Sequence, residues 1–420
     1  MTKTPWWREP TAGQWCTFLA AWVGWVLDAF DFTIFLLVMP RIQEEFHVDA
    51  TVTAASITVT LLLRLVGGAI AGAAADRWGR KLPLMVSLVW FAACDGAVAL
   101  APSFATVVAL RALFGLGMGA EWTSGATLAM ESWPARSRGI ASGVLQGSWA
   151  VGYFLAAIVS VSVLPRWGWR GLFVVAAAPA LLVLPIRWWV PESRDWKRGG
   201  ERVPLRAVAE PAVARRIVWA SLVMMLGFAA YYALTGLYPT MLVRTLHLGS
   251  GEVARLVALF NVGMLIGAIG CGWLAARRGV ALAVALPALV AVPLLPLYLG
   301  AFPSLLPLGA LGAGVFGAGF SGIVPLFLTG LFAPAIRARA VGIVYHAGAC
   351  LASIAPTAVA ALSERAHLSL ARAIGLVAGG SLIALAAALS FRRAPVLMQT
   401  HKNDETPIAA ELAIDAVAQK

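Results

Sequence analysis

The chain has 420 residues, of which 60% are hydrophobic and only 12% are charged. An average soluble domain has about a quarter of its residues charged, and it needs that charge to cover its cores. Here the apolar residues form blocks such as 15–39 and 82–101, each long enough to cross about 30 Å of hydrocarbon as a helix. The composition excludes a soluble globular protein and predicts a polytopic helical membrane protein.

The net charge of +12 does not indicate a nucleic-acid partner, because the cations occur as short clusters between apolar blocks and form no continuous basic stripe. The four cysteines lie singly within apolar segments. They predict neither a disulfide framework nor a metal site, and no nucleotide-binding motif or other cofactor signature is present. We also expect no enzyme, because no nucleophile–base pair stands at a workable spacing.

The apolar segments follow one another along the chain and number about twelve. Their approximate bounds are 15–39, 52–74, 82–101, 105–131, 139–163, 170–190, 217–243, 254–276, 280–301, 304–331, 338–363 and 369–391. We therefore predict an all-α membrane fold of twelve transmembrane helices, surrounded by the lipid bilayer.

Lysine and arginine residues lie mainly on one side of this predicted bundle. Loops on that side hold 23 of them and loops on the other side hold seven, while Arg64 and Arg111 lie within spans. The positive-inside rule places the Lys- and Arg-rich side, with both termini, in the cytoplasm. We expect a multi-pass monomer in the cytoplasmic (inner) membrane.

The longest predicted loop divides the chain into an N-terminal six-helix bundle (1–190), a cytoplasmic central loop (191–216), a C-terminal six-helix bundle (217–391) and a cytoplasmic tail (392–420). Matched loops indicate an internal repeat. Segment 72–79 resembles segment 272–279, with Ala276 in place of Asp76, and Arg136-Ser-Arg138 has a counterpart at 337–339. Parallel repeats of this kind place a substrate site near mid-membrane, between the two halves.

Ionisable residues within the spans are candidates for function, because charge at bilayer depth is costly. Asp28 and Asp31 share one face of span one. Helical rise puts Asp28 about 20 Å and Arg64 about 18 Å from the cytoplasmic side. An arginine there can hold a substrate carboxylate in a bidentate manner, and an aspartate can neutralise it when the site is empty. The alternative is a purely structural Asp–Arg pair between helices one and two.

Glu121 in span four is surrounded by apolar residues, and burial favours the neutral form of a carboxyl group, as a proton carrier requires. The alternative is a glutamate that hydrogen-bonds to neighbouring helices. Asp95 in span three has no charged partner at helical spacing on its own span, so we interpret it as a helix-pairing residue.

The C-terminal half has no Asp or Glu deep within a span. We therefore assign proton chemistry to the first half, and shape and hydrogen bonding to the second. A lone helical histidine such as His346 is more often a packing residue than a titrating one. Besides Arg64, the candidate substrate-binding residues are Trp122, Tyr153, Tyr231, Tyr232 and Asn261.

The segment Gly72-x-x-x-Asp76-Arg77-x-Gly79-Arg80-Lys81 resembles the signature of the major facilitator superfamily, at the expected place between helices two and three. The resemblance implies a twelve-helix transporter in which this loop latches the cytoplasmic side. The candidate latch residues are Gly72, Asp76, Arg77, Gly79, Arg80 and Arg138. Ala276 implies a weaker latch in the second half.

Arg111-x-x-x-Gly115-x-x-x-Gly119 resembles the second superfamily motif, whose arginine is tied to proton coupling. The stretch from residue 111 to residue 153, with Asp28-Ala-Phe-Asp31 in span one, is similar to the sialate:proton symporter family, and the aromatic-acid:proton symporters are its neighbours. Ala29 replaces the glycine of the family pattern and leaves both acids intact. The proton-coupling candidates are Asp28, Asp31, Arg111 and Glu121.

Together these features predict a secondary transporter that carries a small organic anion inward with protons by alternating access. The chain length favours lactate or pyruvate over sialate. Two alternatives stay open: a proton-driven exporter of drugs or metabolites, and a non-transporting nutrient sensor. The absence of a glycine–proline pair in span five and the short tail from Arg392 disfavour them.

Overall fold

The computed structural model describes residues 5–177, 183–196 and 203–390. Within these ranges the chain is helical and contains no strand, so the predicted all-α class is confirmed. The helices are α1 (Ala12–Phe46), α2 (Ala50–Trp78), α3 (Lys81–Ala99), α4 (Phe104–Ser132), α5 (Arg138–Ala176), α6 (Val183–Trp189), α7 (Pro211–Gly236), α8 (Tyr238–Leu246), α9 (Ser250–Arg278), α10 (Val280–Tyr298), α11 (Leu306–Gly312), α12 (Val324–Leu331), α13 (Arg337–Ala352), α14 (Ala355–Arg365) and α15 (Leu370–Ser390).

Eleven segments of the described chain are long and apolar enough to cross a membrane. Three of the predicted spans are interrupted: α7 and α8 form one, α11 and α12 form another with a π turn and a 3-10 turn between them, and α13 and α14 form the third. The predicted sixth span, 170–190, lies partly outside the described residues. Its first part continues α5 beyond a kink at Gly168, where φ is +62°, and its last part is α6.

The first helix after the predicted central loop begins earlier than the predicted seventh span. Helix α7 begins at Pro211 and not near residue 217, because a proline fits the first turn of a helix, whose N–H groups have no partner within the helix. The predicted tail, 392–420, lies outside the described residues. The division into two six-helix bundles stays a prediction.

Glycines allow the helices of the first half to pack with their backbones in contact. A Cβ atom on Gly67 would meet the backbone of Leu116, and one on Gly119 would meet the carbonyl of Arg64. Small residues at such crossings are the usual means of close helix packing in lipid. The contact between α2 and α4 therefore fixes Arg64 relative to Glu121, two residues after Gly119.

The two predicted halves meet where α2 packs on α13 and α5 packs on α9. Gly72 faces the backbone of Ala338, and Gly139 faces the backbone of Gly272. These contacts lie toward one end of the bundle, where α1, α5 and α13 begin and α2, α4 and α9 end. We call it the basic end, because it carries the arginine-rich loops.

Candidate functional site

The six ionisable residues that the sequence places within the membrane form two groups. Asp28, Arg64 and Glu121 make the central cluster, and Asp31, Asp95 and Arg111 make the Arg111 cluster. Every member is at most 6% exposed. Each cluster thus combines one guanidinium with two carboxyl groups.

The central cluster is loosely paired. Nη2 of Arg64 lies 3.9 Å from Oδ2 of Asp28, so the structure brings together the two residues that helical rise places at equal depth. Glu121 lies close enough to interact electrostatically with both. A buried polar atom without a partner costs about 1–3 kcal/mol. The atoms that lack a hydrogen-bond partner among the described residues are both carboxylate oxygens of Asp28, Nε and Nη2 of Arg64, and Oε2 of Glu121.

Aromatic rings surround this cluster. The Arg64 guanidinium carbon lies 5.5 Å from the ring centre of Trp25 and 5.7 Å from that of Tyr345. Tyr345 stacks on Trp122 with ring centres 3.4 Å apart, and Trp25 packs on Trp149 at 5.0 Å. We call Trp25, Trp122, Trp149 and Tyr345 the aromatic cage. It is built from α1, α4, α5 and α13, and therefore from both predicted halves.

The predicted substrate-binding residues differ in their placement. Trp122 belongs to the cage, and Tyr232 interacts electrostatically with Arg64. Tyr231 hydrogen-bonds to Trp149 and lies near Tyr153. Asn261 donates its hydrogen bond within its own helix, to the carbonyl of Val257 at 2.9 Å.

Sequence reasoning missed Trp25, Tyr345 and Gln146. Gln146 accepts a hydrogen bond from the Trp122 indole at 3.2 Å and also bonds to Tyr345. The only sequence signal for Trp25 is its position one turn before Asp28. For Tyr345 no such signal exists, because its partner lies more than two hundred residues away.

His346 follows Tyr345 and crosses from α13 to the first half. Its Nε2 lies 3.1 Å from the carbonyl of Gly119 and 3.3 Å from Oγ1 of Thr123, and its ring fills the space beside Gly68. This placement agrees with the interpretation of His346 as a packing residue. Together with the Trp122–Tyr345 stack, it links α13 to α4 beside the central cluster.

In the Arg111 cluster, Asp95 has a charged partner on another helix, which agrees with its interpretation as a helix-pairing residue. Arg111 donates one hydrogen bond to Asp31 at 2.9 Å and another to Asp95. The partner of Asp95 comes from α4 and not from its own helix, so spacing along one helix could not reveal it.

At the basic end, Asp76 on α2 contacts the start of α13 and so links the two predicted halves. Its carboxylate accepts the backbone N–H groups of Ala338 and Arg339, each at 3.1 Å, at the start of α13. It also lies 3.6 Å from both Arg80 and Arg339. A carboxylate at a helix N-terminus is stabilised by the unpaired N–H groups and the helix dipole.

A second acid, Glu131, pairs with Arg80 at 3.0 Å and with Arg337 at 2.9 Å. Of the other predicted latch residues, Gly72 lies at the contact with Ala338, and Gly79 has a φ of +98° beside Glu192. Glu192 in turn accepts the N–H of Arg80 at 2.8 Å. Sequence reasoning did not identify Glu131 or Glu192 as candidates.

Arg77 and Arg138 make other contacts. Arg77 lies over the ring of Trp78 at 5.3 Å, and Arg138 donates to the carbonyl of Trp133 at 3.0 Å. Arg337 makes the equivalent bond to Phe332, so the structural counterpart of Arg138 is Arg337. The predicted matching of 136–138 with 337–339 is therefore out of register by two residues, because α5 begins at the second arginine of its pair and α13 at the first.

Comparison with known proteins agrees with this architecture. The family model described as "Major Facilitator Superfamily" matches residues 21–329. The sialic acid transporter NanX of Escherichia coli is 28% identical over 391 residues, which cover 91% of this chain and 95% of that protein. A probable 4-methylmuconolactone transporter of Cupriavidus pinatubonensis is 29% identical, with 88% of each chain covered.

Among solved structures, the human organic anion transporter MFSD10 superposes with a TM-score of 0.75 at 18% identity, over 90% of this chain and 99% of that one. The likeness shows the fold. With the match over most of the chain, it confirms the resemblance that the motifs carry: this chain is a multi-pass membrane protein that belongs to the Major Facilitator Superfamily, a superfamily of transporters and not of enzymes.

Proposed function

We propose that this protein is a proton-coupled symporter that carries a small organic anion inward across the cytoplasmic membrane by alternating access. The observation that carries the proposal is the loose Asp28–Arg64 pair at 3.9 Å inside an aromatic cage, with unpartnered polar atoms on both residues. A bound carboxylate would supply the acceptors that the Arg64 guanidinium lacks. The names of the relatives, which refer to sialic acid and 4-methylmuconolactone, support an organic acid.

The lining of the site favours a small carboxylate with a planar or compact body. One guanidinium offers one strong anion contact, and the walls around it are mainly aromatic rings. The side chain of Gln146 already accepts a hydrogen bond from the Trp122 indole and interacts with Tyr345, so it is less available to the hydroxyl groups of a sugar acid. We therefore rank short monocarboxylates such as lactate and pyruvate, and planar ring acids, above sialate.

Proton coupling follows from competition for Arg64. An arriving substrate anion displaces Asp28 from the guanidinium, and a displaced carboxylate in an apolar site needs a proton. Glu121 is the neighbouring carboxyl group. It passes its proton to Asp28 and is reloaded from solvent. Ion pairing at Arg64 is thereby conserved, with Asp28 as the partner in the empty state and the substrate as the partner in the bound state.

The test is uptake into proteoliposomes under an imposed inward proton gradient. We expect accumulation of at least one of lactate, pyruvate, sialate and benzoate. Arg64→Gln should abolish it, while the matched control Arg244→Gln, at an exposed position on α8, should leave it intact. Failure of all four acids to enter would refute the carboxylate assignment.

A further inference from the structure

The Arg111 cluster has the same charges as the central cluster but the opposite geometry. Arg111 forms direct hydrogen bonds to both Asp31 and Asp95, whereas Arg64 and Asp28 are 3.9 Å apart and share no hydrogen bond. Arg111 is 1% exposed, Asp31 is 1% exposed and Asp95 is not exposed at all. The Arg111 cluster is closed in the sense that each of its carboxylates accepts a hydrogen bond from Arg111, whereas both carboxylate oxygens of Asp28 in the central cluster lack a partner among the described residues.

Apolar rings enclose the guanidinium of Arg111. The rings of Phe35 on α1, Phe114 on α4 and Phe173 on α5 lie 5.2, 4.2 and 5.2 Å from its central carbon. The titratable groups that act on the cluster from neighbouring positions are Cys94, beside Asp95, and Asp28, one turn before Asp31. Neither of them adds a positive charge.

The charges of the cluster therefore do not balance without a proton. Two ionised carboxylates against one guanidinium would leave a net negative charge in an apolar enclosure, where an uncompensated charge is strongly unfavourable. Asp31 and Asp95 lie within hydrogen-bonding reach of each other. Oδ1 of Asp31 and Oδ2 of Asp95 have no donor among the described residues, and a single proton would supply one.

We propose that Asp31 and Asp95 share one resident proton that neutralises the Arg111 cluster and is not exchanged during transport. Asp95 thereby acts as a positioning residue, holding Arg111 and joining α3 to α4 and α1. The coupled proton is then carried by Asp28 and Glu121, while Asp31 and Arg111, which the motif resemblance suggested for coupling, take a structural role. A consequence for transport, which rests on the proposed symport, is that one proton enters with each monoanion and that the transport cycle is electroneutral.

The first experiment measures folding and needs no substrate. Asparagine has the shape of a protonated aspartate, so Asp31→Asn and Asp95→Asn should each give a monodisperse protein with nearly unchanged thermal stability, since the remaining carboxylate neutralises Arg111. The double variant should lose folded protein, because it leaves Arg111 without a counter-charge. Adding Arg111→Gln to the double variant should restore folding. If Asp95→Asn alone loses folded protein as the double variant does, both carboxylates are ionised and the proposal is overturned.

The second experiment measures coupling in proteoliposomes. Asp95→Asn should keep proton-driven accumulation within about twofold of the wild type, and an imposed membrane potential should not change the accumulation ratio of either protein. Loss of accumulation with retained counterflow would show that Asp95 exchanges its proton, and would overturn the proposal. If the wild-type protein itself shows no proton-driven uptake, the proposed symport fails, whereas the folding experiment still decides whether the cluster holds a resident proton.

Discussion

Replacement of Asp76 by asparagine should open the basic end of the bundle. The carboxylate accepts two backbone N–H groups of α13 at 3.1 Å each, and a hydrogen bond to a charged group contributes about 1.5–3 kcal/mol. Asparagine keeps one acceptor oxygen, but an NH2 group replaces the other oxygen. That NH2 group is a donor and faces a backbone N–H, which is also a donor, so one of the two hydrogen bonds is lost. The charge–dipole attraction, up to about 2 kcal/mol in a buried geometry, is lost as well.

These losses amount to about 2–4 kcal/mol against the closed conformation, because under the proposed alternating access the two predicted halves separate at this contact. Since each 1.4 kcal/mol is a factor of ten, the ratio of open to closed molecules should rise by about thirtyfold to several hundredfold. The matched control is Asp195→Asn, at the same end. Asp195 pairs with Arg337 at 2.6 Å but is 39% exposed, and such pairs contribute about 0–1 kcal/mol.

The assay is a distance distribution between two spin labels, measured in a background free of the four native cysteines. Arg136, two residues before α5, and Arg278, at the end of α9, are exposed and lie on opposite sides of the predicted division. Asp76→Asn should add a longer distance that is absent from the wild type and from Asp195→Asn. Identical distributions in all three proteins would show that Asp76 does not hold the halves together.

Three further predictions concern the central cluster and the helix packing. Glu121→Gln should retain counterflow and lose proton-driven accumulation, since glutamine cannot pass a proton to Asp28 in the proposed relay; unchanged accumulation would clear Glu121 of this role. Arg64→Lys should raise KM by about tenfold or more with the fold intact, because an ammonium group cannot bind a carboxylate in a bidentate manner; an unchanged KM would place the anion site elsewhere. Gly67→Ala should lower the free energy of unfolding by about 1–3 kcal/mol, because the new Cβ would meet the backbone of Leu116 in the same predicted half. In Gly72→Ala the new Cβ would lie 2.6 Å from the carbonyl oxygen of Ala338, in the other predicted half. This variant should therefore shift the spin-label distances. An equal decrease in melting temperature in both glycine variants would contradict this distinction.

The class of the protein follows from the sequence alone. Long apolar blocks can be stable only as helices in lipid, because every backbone group must then find its partner within its own segment. The same argument identifies Asp28, Arg64 and Glu121 as candidate functional residues, because an ionisable side chain inside such a block is energetically costly. Helical rise even gives the shared depth of Asp28 and Arg64, because depth is a property of a single helix.

The tertiary structure decided which buried charges belong together. Asp28 and Asp31 lie one turn apart on α1 and look equivalent in the sequence. In the structure, Asp28 lies 3.9 Å from Arg64 without a hydrogen bond, whereas Asp31 is hydrogen-bonded to Arg111 at 2.9 Å. Asp95 finds its arginine on α4, and Tyr345 finds Trp122 across the two halves. A sequence specifies spacing within a helix, but it does not specify which face of the next helix packs against it. The burial of each ionisable residue could therefore be predicted from the sequence, whereas its partner, and with it the distinction between an open and a closed cluster, required the fold.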